Sequence, residues 1–315
     1  MTTQDLLTIG TRGSALALWQ ANHIKAQLEA THTGISVRIR TIKTTGDKIT
    51  DVPLAMVGGK GLFVKEIEDA LLRGDVDLAV HSMKDVPTDL PDRLEIAFVT
   101  QREDPRDAFI SPNGATFLSL PPGAVIGTSS LRRQSQLRFH RPDVVIASLR
   151  GNLDTRLRKL SDGRYAAIIL AAAGLKRLGL EDRVSEYLST EISLPAIGQG
   201  ALGIECRRGD ARTQRLAATL GHSDTHTAVL AERALLKRLE GGCQVPIAAY
   251  GRLVFDHGAP NLLLEGLVAS VDGTRLIRDR VSGSPADAVA LGIDLAEKLL
   301  GRGADRILRE IYESG

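Results

Sequence analysis

The chain has 315 residues, which at ~100–200 residues per domain makes two or three domains and excludes a single small module. With 43% hydrophobic and 25% charged residues it matches the average of globular chains, so neither a disordered nor a fibrous protein is expected. Lys and Arg exceed Asp and Glu by only two, which is little for a ligand of nucleic-acid phosphates.

Short apolar runs alternate with helical patterns over the first two thirds. Leu6–Gly10, Val37–Ile42, Val76–His81, Leu94–Thr100, Val125–Thr128, Val144–Leu149 and Ala166–Leu170 are predicted strands. Between them, Ala17, Ala21, Ile24 and Leu28 share one helical face, and Phe63, Ile67, Ala70 and Leu71 share another. The alternation predicts an α/β fold with mainly parallel sheets. Ile9-Gly10-Thr11 is echoed 117 residues later by Ile126-Gly127-Thr128, a hint of two similar domains. Gly46–Gly61 reads as a long loop of the kind that forms lids. Gln101–Asp107 and Ser193–Gly200 are linker candidates, a pair of crossings that would return the chain to its first domain near residue 200. After Gly221 comes a helix with Ala228, Ala231, Leu235 and Leu239 on one face. Extended segments and a helix over 286–300 follow, and together these predict a separate α+β domain. The apolar run Ala166–Leu175 is too short for a membrane span, and the MTTQDLL start lacks a secretory pattern, so a cytoplasmic protein is expected.

Charge is uneven along the chain. From Leu131 to Arg177 eleven bases face three acids, a local charge of +8 that suits a polyanionic ligand or a solvated basic face. The Gly198–Gly203 stretch fits GxGxxG, but Leu202, Ile204 and Cys206 after it alternate as a strand, which excludes a dinucleotide site. Gly58-Gly59-Lys60-Gly61 lacks the spacing of a phosphate loop. HExxH and CxxC are both missing, so no metal site is expected. Three turns remain, each with hydroxyl or amide caps, backbone N–H groups and an arginine: Thr11-Arg12-Gly13-Ser14, Thr128-Ser129-Ser130-Leu131-Arg132-Arg133, and Arg150-Gly151-Asn152. Helix N-termini with forked guanidinium groups suit carboxylate or phosphate, although each turn alone is also ordinary capping. Asp85, in Val80–Pro87, is open to two roles, turn former or a carboxylate acting on developing positive charge. Cys243 stands between Gly242 and Gln244 on a loop, open to covalent use, whereas Cys206 alternates with core residues.

TRGSALALWQ at 11–20, VGGKGLFVKEIEDALL at 57–72, AVHSMKDVPTDLP at 79–91, REDPRDAF at 102–109, GTSSLRRQSQL at 127–137, SLRGNLDTRL at 148–157, ILAAAGLKRLGL at 169–180, SLPAIGQGALGIECR at 193–207 and LEGGCQVPIAAY at 239–250 resemble, in this order, the porphobilinogen deaminases, also called hydroxymethylbilane synthases. The resemblance implies three domains: 1–100 with 200–218, then 101–199, both like a periplasmic binding protein, and 219–315 carrying the cysteine loop. It implies a transferase of tetrapyrrole (heme) biosynthesis that joins four porphobilinogen molecules head to tail with loss of ammonia, and releases hydroxymethylbilane by hydrolysis. The chain would start from a dipyrromethane cofactor bound by a thioether at Cys243. Matched motif positions imply that Lys84, Asp85, Thr128, Ser129, Ser130, Arg132, Arg133, Arg150 and Gln199 contact the cofactor. Arg12, Ser14, Arg150, Arg156 and Arg177 would bind substrate carboxylates, Asp85 would be catalytic, and Lys60 and Phe63 would belong to the lid. Met56 departs from the lysine of some members, which leaves Lys60 as the basic candidate of the glycine-rich stretch. A monomer without membrane or nucleic-acid partners is expected. The alternatives, a clamshell anion carrier or a nucleic-acid binder, are disfavoured by EGGCQVP and by 3% aromatic content respectively.

Overall fold

The computed structural model describes residues 5–48, 63–240, 245–256 and 258–313. In chain order the first stretch gives β1 (Asp5–Thr11), α1 (Ala15–Thr31), β2 (Ile35–Thr41), α2 (Thr45–Lys48), α3 (Lys65–Arg73), β3 (Leu78–Ser82) and β4 (Leu94–Val99). Next come β5 (Asp107–Ile110), β6 (Val125–Gly127), α4 (Leu131–His140), β7 (Val145–Ala147), α5 (Leu153–Ser161), β8 (Ala167–Ala171), α6 (Ala172–Arg177) and β9 (Glu186–Tyr187). The last third holds β10 (Leu202–Arg207), α7 (Ala211–Ala217), α8 (Ser223–Arg238), β11 (Ile247–Asp256), β12 (Ala259–Ala269), β13 (Leu276–Gly283), α9 (Ala288–Gly301) and α10 (Ala304–Glu313).

The described chain forms two compact units. One takes residues 5–48, 63–102 and 201–226; the other takes 103–200 and the described residues from 227 onward. The first unit is a sheet of order β2-β1-β3-β10-β4 with helices against it. Strands β2, β1 and β3 run parallel, and β10 enters antiparallel between β3 and β4. Leu7, Ile9, Ile24, Leu28, Val80 and Ile204 form its core, where each fully buried aliphatic side chain contributes ~1.5–3 kcal/mol. The α3 helix turns Ile67, Ala70 and Leu71 to the sheet. It ends at Gly74, whose left-handed φ of 76° lets its N–H reach the Ala70 and Leu71 carbonyls.

The second unit holds a sheet of order β7-β6-β8-β5-β9, in which β7, β6 and β8 are parallel and β5 runs antiparallel to β8 and β9. β6 thus occupies the place of β1, so the Ile-Gly echo lies on equivalent strands, with Thr128 just past the end of β6. Both sheets are mixed: the expected parallel character belongs to three strands of each. The unit also contains the antiparallel sheet β11-β12-β13, covered by α8, α9 and α10 through Leu235, Leu264, Leu295 and Ile307. One linker expectation changes. Asp107 is not in a crossing but heads β5, fully buried.

Candidate functional site

In the first unit, parallel pairing brings the ends of β1 and β3 to one edge of the sheet, where ligands of α/β sheets collect. Ser14 caps α1, its hydroxyl accepting from Ala17 N at 3.3 Å. Beyond β3 the chain tightens into a 3₁₀ turn, Met83–Asp85, closed by the Val86 N–H on the Met83 carbonyl. Arg12, Ser14, Gln20, Phe63, Ser82 and Asp85 line one cleft of about 70 Å³. The Arg12 guanidinium stacks 4.2 Å from the Phe63 ring centroid, and Gln20 Nε2 donates to Ser82 Oγ at 2.9 Å. Lys84 is half-buried in the same turn as Asp85.

In the second unit the Thr128–Ser130 and Arg150–Asn152 turns are tied together. Ser130 caps α4, and Asn152 caps α5 by accepting from Thr155 N at 2.9 Å. Ser129 Oγ lies 3.0 Å from Ser148 Oγ, donates to the Leu149 carbonyl and accepts from Leu149 N, so the ends of β6 and β7 are locked side by side. Thr128 Oγ1 accepts from Ser130 N at 3.2 Å. Gly151 makes the turn into α5 with φ 113°, and a Cβ there would fall 2.7 Å from Thr155 Cγ2. Arg156 Nε donates to the Gly151 carbonyl at 2.8 Å. Arg150 is half-buried, and its Nη1 is buried without a hydrogen-bond partner among the described residues. Arg177 donates to the Gly200 carbonyl at 2.6 Å; burial pulls its pKa down to about 10, with Glu103 acting in the opposite sense.

Arg132 and Arg133, in the first turn of α4, are buried. Asp107 accepts from Arg132 at 2.8 and 3.2 Å and from Arg133 at 3.1 and 2.8 Å, and also from Ser193 Oγ and Gln199 Nε2. Arg132 reaches the Leu194 carbonyl, Arg133 the Ile169 carbonyl, and Gln199 the Pro105 carbonyl. Burial alone would raise the Asp107 carboxyl. The two guanidinium groups outweigh it and hold the carboxyl far below the ordinary range. The structure therefore gives Arg132, Arg133 and Gln199 a common intramolecular anion, a role that sequence reasoning missed. The signal was present in RDAF, where a carboxylate heads an otherwise apolar strand, but its partners lie 25 to 92 positions away.

Expected residues Cys243 and Lys60, together with most of the lid stretch, lie outside the described residues. Cys206 is a free buried thiol pushed up to about 11 by burial, which removes it as a nucleophile. Among the described residues no group of His, Cys, Asp and Glu is arranged to hold a metal, and no helix is long and apolar enough to cross a membrane.

Comparison with known proteins adds an independent line. The family described as porphobilinogen deaminase, dipyromethane cofactor binding domain matches residues 7–215, and its C-terminal domain family matches residues 226–301. The porphobilinogen deaminase of Geobacter sulfurreducens is 59% identical over 98% of this chain and 95% of its own. That of Trichlorobacter lovleyi is 60% identical over 98% and 97%, and that of Syntrophobacter fumaroxidans 56% identical over 99% and 100%. Among solved structures, a putative periplasmic sulfonate-binding protein of Methylobacillus flagellatus aligns with 76% of this chain and 69% of its own, at 14% identity and a TM-score of 0.39.

Proposed function

Since this chain belongs to the porphobilinogen deaminase family, we propose that it condenses four porphobilinogen molecules with release of ammonia and frees hydroxymethylbilane by hydrolysis. The observation that carries the reading on the structural side is the Arg150 guanidinium. Its Nη1 is buried without an acceptor among the described residues, beside two capped helix N-termini, and a carboxylate would satisfy it. Porphobilinogen bears an acetate and a propionate, so such a donor set fits both the substrate and a dipyrromethane made from it.

Arg150, Ser129 and Ser130 would hold the carboxylates of a dipyrromethane, joined by Cys243 through a thioether. When bound, that cofactor supplies the pyrrole α-carbon at which chain growth begins. Arg132, Arg133 and Gln199 would act through Asp107, fixing α4 so that its first turn stays open to the ligand. Arg12, Arg156 and Arg177 would take substrate carboxylates, with Ser14 and Lys84 beside Arg12 and Asp85 in the first unit. Lys60 and Phe63 would close over the ligand, and the Arg12–Phe63 stack supports a link between that stretch and the cleft. Asp85 would accept pyrrole N–H groups and lower the energy of the cation that forms as the amine leaves. A division into 1–100 with 200–218, 101–199 and 219–315 fits the three separate sheets. The reading takes the chain as a cytoplasmic monomer acting on a small molecule.

Asp85 provides the test. Asn keeps size and one acceptor but removes charge, so a cofactor-loaded Asp85→Asn protein should release ammonia in a single turnover at least ~100-fold more slowly with little change in substrate affinity. Near-normal release from a fully loaded sample would return Asp85 to a turn former.

A further inference from the structure

Beneath the first unit's cleft lies a buried polar cluster that the proposed mechanism leaves unused. His81, which lines the cleft, is 6% exposed and its Nε2 lies 2.8 Å from Oε2 of Glu205, itself 1% exposed. A carboxylate only accepts, so Nε2 carries the proton. The other oxygen, Glu205 Oε1, is buried with no hydrogen-bond partner among the described residues. Glu68, 8% exposed on α3, is the third member. Burial, and then the charge of Glu205, push its carboxyl up to about 7, against the opposing pull of His81. Glu68 thus lies buried on a helix packed against β3 and β10, the strands that carry His81 and Glu205, and an orphaned acceptor remains.

Resting on the proposed deaminase reading, we propose that Glu68, His81 and Glu205 form a proton-holding site beneath the cleft, positioning residues whose charge state sets the field in which Asp85 works. In the protonated state the cluster presents one carboxylate against His81. When Glu68 ionises, its proton passes to solvent and a second negative charge appears below the cleft. That charge favours the cation formed as the amine departs and disfavours the anionic substrate. kcat and KM for ammonia release should therefore rise together.

Among the described residues, few charged groups surround the cluster. Asp69 adjoins Glu68 on α3 and raises its pKa further. Arg12 and Asp85 line the cleft with His81. On β10, Arg207 is committed to the Leu71 and Val76 carbonyls and to Asp77 and Asp210. On β4, Glu95 is held by Arg208 and Gln214. Glu68 is therefore the group whose ionisation is placed to change the charge beneath the cleft near neutral pH.

The test uses the full-length, cofactor-loaded protein with selectively ¹⁵N-labelled histidine. In the wild type the His81 ring resonance should step with a midpoint near pH 7. Glu68→Gln, neutral and of the same shape, should abolish that step, and Glu205→Gln should move it to lower pH by relieving the like charge. Single-turnover kcat of the wild type should rise roughly three- to tenfold across the same midpoint, as expected of one charge acting across part of a protein interior. Glu68→Gln should stay flat at the low-pH level. An unchanged step or an unchanged kcat profile in Glu68→Gln overturns the proposal. If wild-type protein releases no ammonia at all, the deaminase reading fails, and the Glu68-dependent step in the His81 resonance still decides whether the cluster holds a proton as described.

Discussion

Replacing Asp107 by Asn tests the anchor on which the second unit's arginines depend. The substitution keeps the side-chain shape but removes the charge that faces Arg132 and Arg133, with six hydrogen bonds converging on a fully buried carboxylate. Removing one partner of a buried ion pair costs ~3–5 kcal/mol because the other charge is left uncompensated. Here two guanidinium groups are stranded, and burial already depresses the proton affinity of Arg132, so the upper end applies. At ~2–4 °C per kcal/mol for a unit of this size, Asp107→Asn should lower the melting temperature by roughly 10–20 °C. The pH dependence has a definite sign. A carboxylate whose folded pKa is depressed contributes stability that is complete above its unfolded value near ~3.9 and is lost as pH falls through the folded one. The gap between wild type and Asp107→Asn should therefore be constant above about pH 5 and narrow on further acidification. Urea unfolding of both proteins at pH 7 and at pH 3 makes the comparison, with Arg132→Met added to measure coupling. A loss below ~1 kcal/mol at pH 7 would refute the reasoning, since no buried unpaired charge costs so little.

Two further outcomes are expected. The intact mass of protein made in cells that synthesise porphobilinogen should exceed the sequence mass by one dipyrromethane; Cys243→Ala should remove the excess and Cys206→Ala should keep it, and an unmodified wild type would end the cofactor assignment. Arg150→Leu should weaken substrate use or cofactor loading by roughly 10- to 150-fold, the worth of a charge-assisted contact of ~1.5–3 kcal/mol, whereas exposed Arg164→Leu should change neither; equal small effects would mean that Arg150 only faces solvent.

Local signals in the sequence proved informative where chemistry and geometry are both local. Ser14, Ser130 and Asn152 are the caps that their hydroxyl and amide groups suggest, and the alternation after Gly198 is indeed strand β10. The Ile-Gly echo lies on β1 and β6, the second strands of their sheets. Strand direction was less accessible, because β10 and β5 insert antiparallel from distant chain segments and no local pattern encodes a partner. β5 was hidden for a further reason: its first residue is Asp, a type depleted in strands, tolerated here only because two helix residues of α4 bring it their charges. The pairing of Arg132 and Arg133 with Asp107 was not legible either, since a basic helix start looks alike whether its side chains face outward or into the core. Glu68 and Glu205 gave no signal, one lying on an amphipathic helix and the other inside an apolar strand, 137 residues apart.

The place of β10 between β3 and β4 has a consequence for the chain as it is made. Gly203 pairs with His81 on one side and Val99 on the other, so both neighbours are synthesised a hundred residues before the strand that joins them. At ~5–20 residues per second, the ribosome leaves those two edges open for roughly 5–20 s. The intervening segment, which carries the whole β7-β6-β8-β5-β9 sheet, emerges within that interval and can fold on its own contacts. An early sheet with two open strand edges is a template for pairing with another nascent chain. Translation pauses placed shortly before residue 202 should therefore increase aggregation of this protein, whereas pauses after residue 207 should not.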